Sequence, residues 1–257
     1  MLLTIDIGNT QIALGMFDRE DLIGHWRVST DPTATFDELR WQLTGILEGD
    51  GFTQNDIGGV CVSSVVPSLT STLRRVAPHV VAGDVVVVEP GVRTGLAIDI
   101  DNPWEVGADS IVNSVAGRDR YGSPVVVVVF GTSTILDFVG RSGAYLGGAI
   151  APGLEIATNA LVSGTAALRR VEFSAPRGVI GKGTVEAIQS GAIFGHAGLV
   201  DGIVERIAAE FDEDVTRIAT GGLASTIVPH CRSVETIDPY LTLEGLRTIF
   251  HLNQDAP

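Results

Sequence analysis

The period of the apolar positions changes several times along the chain, and each change marks an element. Leu2, Leu3, Ile5 and Ile7 form an apolar run interrupted by Asp6, Gly8-Asn9-Thr10 supplies turn chemistry, and the run resumes over 12–17. Residues 2–17 therefore read as strand, sharp loop and strand. A third strand is expected over 22–28. Phe36, Leu39, Leu43 and Leu47 have the spacing of one helix face, 57–63 reads as a strand, Pro67 opens a helix to about residue 77, and 85–88 reads as a fully buried strand. Asn102-Pro103-Trp104-Glu105 combines an N-cap Asn, a Pro at the first helical position and a carboxylate three residues after the cap. It predicts a helix, or a broken pair, running to about residue 116.

Residues 117–124 are polar, carry Gly122 and Pro124, and mark a boundary between 1–117 and 118–257. The second half opens as the first does. Residues 125–139, VVVVVFGTSTILDFV, repeat the strand, loop and strand. Aligning Gly131 with Gly8 places Thr132 on Asn9, Ser133 on Thr10 and Ile135-Leu136 on Ile12-Ala13, and Val129 falls where the first copy has Asp6. Two such hairpins, each opening a half, predict an internally duplicated α/β fold with a phosphate cleft between the halves. Further on, 144–150 is a strand, 152–162 a helix, 215–219 a strand, 220–223 a loop, 224–228 a short helix and 241–252 a closing amphipathic helix.

The longest helical pattern is Thr184–Phe211, with Val185, Ile188, Ala192, Ile193, Leu199, Ile203, Val204 and Ile207 as its apolar positions. Gly191 and Gly195, then Gly198 and Gly202, recur at a spacing of four. A glycine costs a helix about 1 kcal/mol relative to alanine, so the stripe points to a close backbone approach, either inside the chain or across a subunit interface.

Composition narrows the class. A chain of 257 residues with 45% hydrophobic residues and 31 glycines fits a soluble α/β protein. The net charge of −14 argues against nucleic-acid or anionic-membrane partners, because a polyanion is repelled. Cys61 and Cys231 have no metal spacing, His25, His79, His196, His230 and His251 form no metal pattern, and no apolar run approaches membrane-spanning length. The N-terminus enters a strand with no basic leader, so a reduced, cytoplasmic setting is expected.

An acid at a strand end followed by a small-residue turn suits phosphate chemistry. Gly8 admits backbone N–H groups close to an anion, Asn9 and Thr10 donate hydrogen bonds, and Asp6 can hold a divalent cation that bridges phosphates. A plain β-hairpin with an exposed Asp is the competing reading of the motif alone. Lys182, in GVIGKGT, lacks the Walker spacing and reads as a solvated loop lysine.

Seven motifs, in order, resemble the type III pantothenate kinases of the sugar kinase, Hsp70 and actin superfamily. They are DIGNT at 6–10, EPGVRTG at 89–95, NPWEVGAD at 102–109, FGTST at 130–134, GGAIAPG at 147–153, GKGT at 181–184 and ATGGLA at 219–224. The resemblance implies a duplicated ribonuclease H-like, two-lobed fold and transfer of the ATP γ-phosphoryl group to the 4′-hydroxyl of pantothenate, the first step towards coenzyme A. It implies ATP and phosphate contacts at Asp6, Gly8, Asn9, Thr10, Gly131 and Thr132, with Gly221 and Gly222 near adenosine and Mg²⁺ held through Asp6 and water. It also implies a general base at Asp109, substrate contacts at Gly107, Ala108, Ser110 and Thr184, a monovalent cation (K⁺ or NH₄⁺), and a homodimer built by the second half.

Three positions depart from the family pattern. Ser110 stands where the family has Arg, Val129 where it has the Asp that binds the monovalent cation, and Ile100 where some members carry a substrate-contacting Tyr. These departures keep two further readings open: a catalytically impaired relative with a binding or regulatory role, and a kinase for another small alcohol.

Overall fold

The computed structural model describes residues 1–211 and 214–254, which divide into two compact units. The first comprises Met1–Leu96, Asp101–Ala116 and the chain from Thr242; the second comprises Ala97–Ile100 and Gly117–Leu241. The simple division at residue 117 differs from these units in two places. The 97–100 segment belongs with the second unit, where Ile98 bridges to Tyr145, and the C-terminal helix returns to the first.

In the first unit, β1 (Leu2–Ile7), β2 (Gln11–Asp18), β3 (Asp21–Ser29), β4 (Gly59–Ser64) and β5 (Asp84–Val87) form one sheet in the order β3-β2-β1-β4-β5. β1 pairs antiparallel with β2, and β2 with β3, while β4 and β5 run parallel to β1. Leu3, Ile5, Ile7, Ile12, Leu14 and Met16 point to one face. There α1 (Phe36–Gly49) and α2 (Pro67–Val76) cover them with Leu39, Leu43, Leu47, Leu69 and Leu73. Thr35 and Glu38 form a capping box that starts α1, and Pro67 starts α2.

The opposite face of this sheet is covered from far along the chain. α3 (Ala108–Tyr121) begins in the first unit, and α7 (Leu241–Gln254) ends there. Glycines let α7 settle: a Cβ on Gly59 would meet the Phe250 ring, one on Gly15 would meet Leu243, and one on Gly245 would meet Val112 of α3. Thr242 Oγ1 donates to Asn113 Oδ1 at 2.7 Å, which joins the two helices.

The second unit repeats the order. β6 (Val125–Phe130), β7 (Ser133–Val139), β8 (Tyr145–Pro152), β9 (Thr216–Thr220) and β10 (Thr236–Ile237) are arranged β8-β7-β6-β9-β10 with the same senses. Val126, Val128, Phe130, Leu136 and Phe138 pack against α5 (Thr184–Phe211). α4 (Leu154–Ser163) and α6 (Ala224–Ile227) complete the unit.

Several expectations need correction. The strand over 85–88 is an edge strand rather than a fully buried one: Asp84 and Val85 are exposed, because β5 has a neighbour on one side only. The second hairpin loop is one residue shorter than the first. Ile7 pairs with Ile12 and Gly8 N–H donates to Gln11 O, whereas Phe130 pairs with Thr134 and Gly131 N–H donates to Ser133 O. Thr134, Ile135 and Leu136 therefore correspond to Ile12, Ala13 and Leu14. The ungapped alignment placed Leu136 on Ala13, a one-residue slip that would turn a core side chain to the other face. β10 had no periodic signal at two residues, and Asn102 caps a short 3-10 turn, Pro103–Glu105, before α3 begins separately.

Candidate functional site

The first unit gathers four side chains on the face of its sheet away from α1 and α2. Asp6 is the one charged residue of β1, and its neighbour on β4 is Ser63, whose hydroxyl donates to Asp6 Oδ1 at 2.5 Å. Across β2, Asp6 registers with Ala13 and Ala13 with Arg27 of β3, so Arg27 projects from the same face. Asp109 lies in the first turn of α3, close enough for its charge to act on Asp6.

Electrostatics follow from this grouping. Burial pushes the Asp6 carboxyl up to about 6; the Ser63 hydrogen bond opposes the rise, the Asp109 charge adds to it and the Arg27 charge opposes it. Burial also raises the Asp109 carboxyl, with backbone N–H groups pulling the other way. One of these is Ser110 N–H, which donates to Asp109 Oδ1 at 3.0 Å. A Cβ on Gly107 would collide with that same oxygen, which accounts for glycine two residues before the acid. Ala108 and the buried Ser110 flank Asp109 at the helix start; Ser110 places a small hydroxyl there in place of a fixed cation.

The first loop is held from β3. Thr30 Oγ1 donates to Gly8 O at 2.7 Å and Thr30 N–H donates to Thr10 O at 3.0 Å, so Gly8 is pinned while Asn9 and Thr10 stay exposed. Ser63, Arg27 and Thr30 escape a motif reading because none lies in the loop. The one signal available was that each falls near the end of a strand next to β1 or β2.

The second unit builds the corresponding loop from Gly131, Thr132 and Ser133. A Cβ on Gly153 would collide with the carbonyls of Gly131 and Thr132. Gly221, at φ +98°, lies against the Phe130 backbone, and Leu223 N–H donates to Phe130 O at 3.3 Å. The 220–223 turn, with Gly222 exposed on it, is thus seated on the strand that leads into the loop. Thr134, after the loop, is hydrogen-bonded to His196 of α5 at 2.7 Å, and burial holds the imidazole below its ordinary value. His196 is a structural residue, and its place beside the loop was not legible from its spacing.

Two predicted cation positions come out differently. Asp6 fits a divalent ion: it is a half-buried carboxylate whose ionised form is opposed by burial and by Asp109, and a cation would relieve both. Among the described residues no group of three acidic, His or Cys side chains could hold a metal, so such an ion needs phosphate and water oxygens to complete its shell. Val129 does not fit the monovalent ion. It faces Ile135 on β7 and Thr220 on β9, so Thr220 holds the position that Ser63 holds beside Asp6, but the carboxylate is gone. Asp137 registers with Val127 instead and accepts from Tyr145 Oη at 3.0 Å.

Thr184 opens α5, exposed, on a cavity of about 440 Å³ lined by Leu154, Ala157, Ile188 and Gly191 among others. Ile100 lies near Gly147 in the same unit. Among the described residues nothing comes within 4 Å of a Cβ built on Gly191, Gly195 or Gly198, so close packing against those residues does not explain the glycines. Lys182 is exposed, and its backbone N–H donates to Glu186.

Two sheets of the order 3-2-1-4-5, each opening on a glycine hairpin, define the α/β fold of the sugar kinase and actin-like proteins. Solved structures agree at the level of fold. The chain is similar to component A of (R)-2-hydroxyglutaryl-CoA dehydratase from Acidaminococcus fermentans (TM-score 0.57, 14% identity, 96% of this chain and 95% of that one). It is also similar to the inorganic polyphosphate/ATP-glucomannokinase from Arthrobacter sp. strain KM (TM-score 0.51, 16% identity, 99% of each). The type III pantothenate kinase family model matches residues 2–206. A protein named type III pantothenate kinase from Parafrankia sp. (strain EAN1pec) is 51% identical over 256 residues, 99% of each chain. The chain belongs to the type III pantothenate kinase family.

Proposed function

We propose that this protein catalyses ATP-dependent phosphorylation of pantothenate at its 4′-hydroxyl, the first step towards coenzyme A. The observation that carries the reading is full-length membership of the family together with Asp6 and Asp109 on one face of the first unit. In this reading Asp109 accepts the hydroxyl proton, and its raised pKa makes it a stronger base at the helix start. The hydroxyl oxygen forms the new P–O bond as the bond to ADP breaks. Such transfer has a loose transition state, so alignment and charge neutralisation are the protein's main tasks.

Gly8, Asn9, Thr10, Gly131 and Thr132 are assigned to the phosphates, Gly221 and Gly222 to adenosine, and Gly107, Ala108, Ser110 and Thr184 to pantothenate. Asp6 is assigned to Mg²⁺ through water; bound there, the ion would neutralise phosphate charge. No step is assigned to a monovalent cation, because Val129 offers it no ligand oxygen. A homodimer through the glycine face of α5 is part of the proposal, supported by the open space that a Cβ on Gly191, Gly195 or Gly198 would meet among the described residues. A cytoplasmic setting suits a soluble small-molecule kinase, and among the described residues no helix is long and apolar enough to cross a membrane.

The test is steady-state phosphorylation of pantothenate with ATP and Mg²⁺, with other small alcohols in parallel. Formation of 4′-phosphopantothenate and ADP in equal amounts is the expected result. ATP binding without turnover of pantothenate would overturn the reading. A monomer by light scattering at micromolar concentration would remove the dimer from it.

A further inference from the structure

We infer that Arg27 is the phosphate-contacting cation of the first unit, its guanidinium taking the phosphate oxygens of a nucleotide held at the Gly8–Thr10 loop. The inference rests on the nucleotide-binding part of the proposed function and adds to it a residue outside every recognised motif.

Three observations carry it. Arg27 is in register with Asp6 through Ala13, so it rises from the sheet face that bears Asp6, Ser63 and the start of α3. It is exposed, and among the described residues it makes no hydrogen bond or ion pair, so its five N–H donors are available to a ligand. Three residues further on, Thr30 binds the Gly8 and Thr10 carbonyls, so the strand that carries the guanidinium also holds the loop.

The other cations of the first unit are engaged elsewhere or lie away from the loop. Arg74 is paired with Glu89 and Arg247 with Glu244, Arg40 and Arg75 lie over the Phe36 ring, Arg93 sits by Asn253, and Arg19 is in the turn at the far end of β2. The chain contains a single lysine, Lys182, and it belongs to the second unit. With Ser110 neutral, Arg27 is the side-chain cation that the described residues of the first unit offer a phosphate at the first loop. A planar guanidinium suits it, because its paired donors match two phosphate oxygens.

The experiment measures binding of ATP, and separately of adenosine, by titration calorimetry with Mg²⁺ and no pantothenate, on the wild-type chain and on Arg27→Gln and Arg27→Lys. Loss of a charge-assisted, bidentate contact predicts ATP binding about ten- to a hundredfold weaker in Arg27→Gln, with adenosine binding unchanged. Arg27→Lys is expected to fall between, since it keeps the charge and loses the fork. ATP affinity within twofold of wild type in Arg27→Gln would overturn the inference. So would equal weakening of ATP and adenosine, which would mean loop damage rather than a lost phosphate contact. If Arg27→Gln does not fold, Arg27→Lys decides by the same comparison. Because pantothenate is absent, failure of the wild-type chain to phosphorylate it would count against the proposed function and leave this result standing.

Discussion

Replacing Asp6 by Asn is expected to stabilise the nucleotide-free protein while removing its Mg·ATP site. The carboxyl titrates near 6 in the folded chain against 3.8 ordinarily, chiefly because burial penalises the ionised form. A folded-state pKa above the unfolded one means that the stability contributed by the protonated acid is fully present below pH 3.8 and is lost as pH rises through about 6. At about 1.4 kcal/mol per pH unit, ionised Asp6 costs about 3 kcal/mol at neutral pH. Asn keeps the shape and can still accept from Ser63 through its amide oxygen, so it removes most of that cost. The variant should exceed wild type by up to about 3 kcal/mol at about pH 7.5, and by about half as much at about pH 5, where wild-type Asp6 has largely protonated. Urea unfolding followed by circular dichroism at both pH values reads the difference as a shift of midpoint at constant slope. Equal midpoints at the higher pH, or a gap that does not narrow at the lower one, would refute the argument that Asp6 is held against its electrostatic preference.

Asp109→Asn should lower kcat for pantothenate by about 10²–10⁴-fold with ATP affinity nearly unchanged, as befits a lost base; wild-type kcat in this variant would exclude Asp109 from that role. Gly153→Ala should weaken ATP binding, because its methyl group must displace the Gly131 and Thr132 carbonyls; calorimetry showing wild-type affinity would mean that this loop does not hold the nucleotide. Initial rates should be the same in K⁺ and Na⁺ for the wild-type chain and become K⁺-dependent in Val129→Asp; strong K⁺ stimulation of wild type would show a cation site that does not need position 129.

The local elements were legible in the sequence because their signals are local. Thr184–Phe211 was bounded correctly as a helix by its apolar spacing, and the opening hairpins of both halves were visible as apolar runs around glycine turns. The duplication was legible too, since two hairpins of one design imply two sheets of one order. Asp6, Gly8 and Asp109 could be singled out because motif residues lie close together along the chain. The tertiary structure decided what depends on neighbours distant in sequence. The shorter second loop changes which residues of β7 match β2, and only the cross-strand register shows it. The last helix returns to the first unit because Gly15 and Gly59 leave room on that sheet for Leu243 and Phe250, a fit that no periodicity in 241–254 announces. Arg27, Ser63 and Thr30 join the site for the same reason: strand pairing fixes which face each occupies and what stands beside it, whereas hydrophobic alternation shows only that a strand is present.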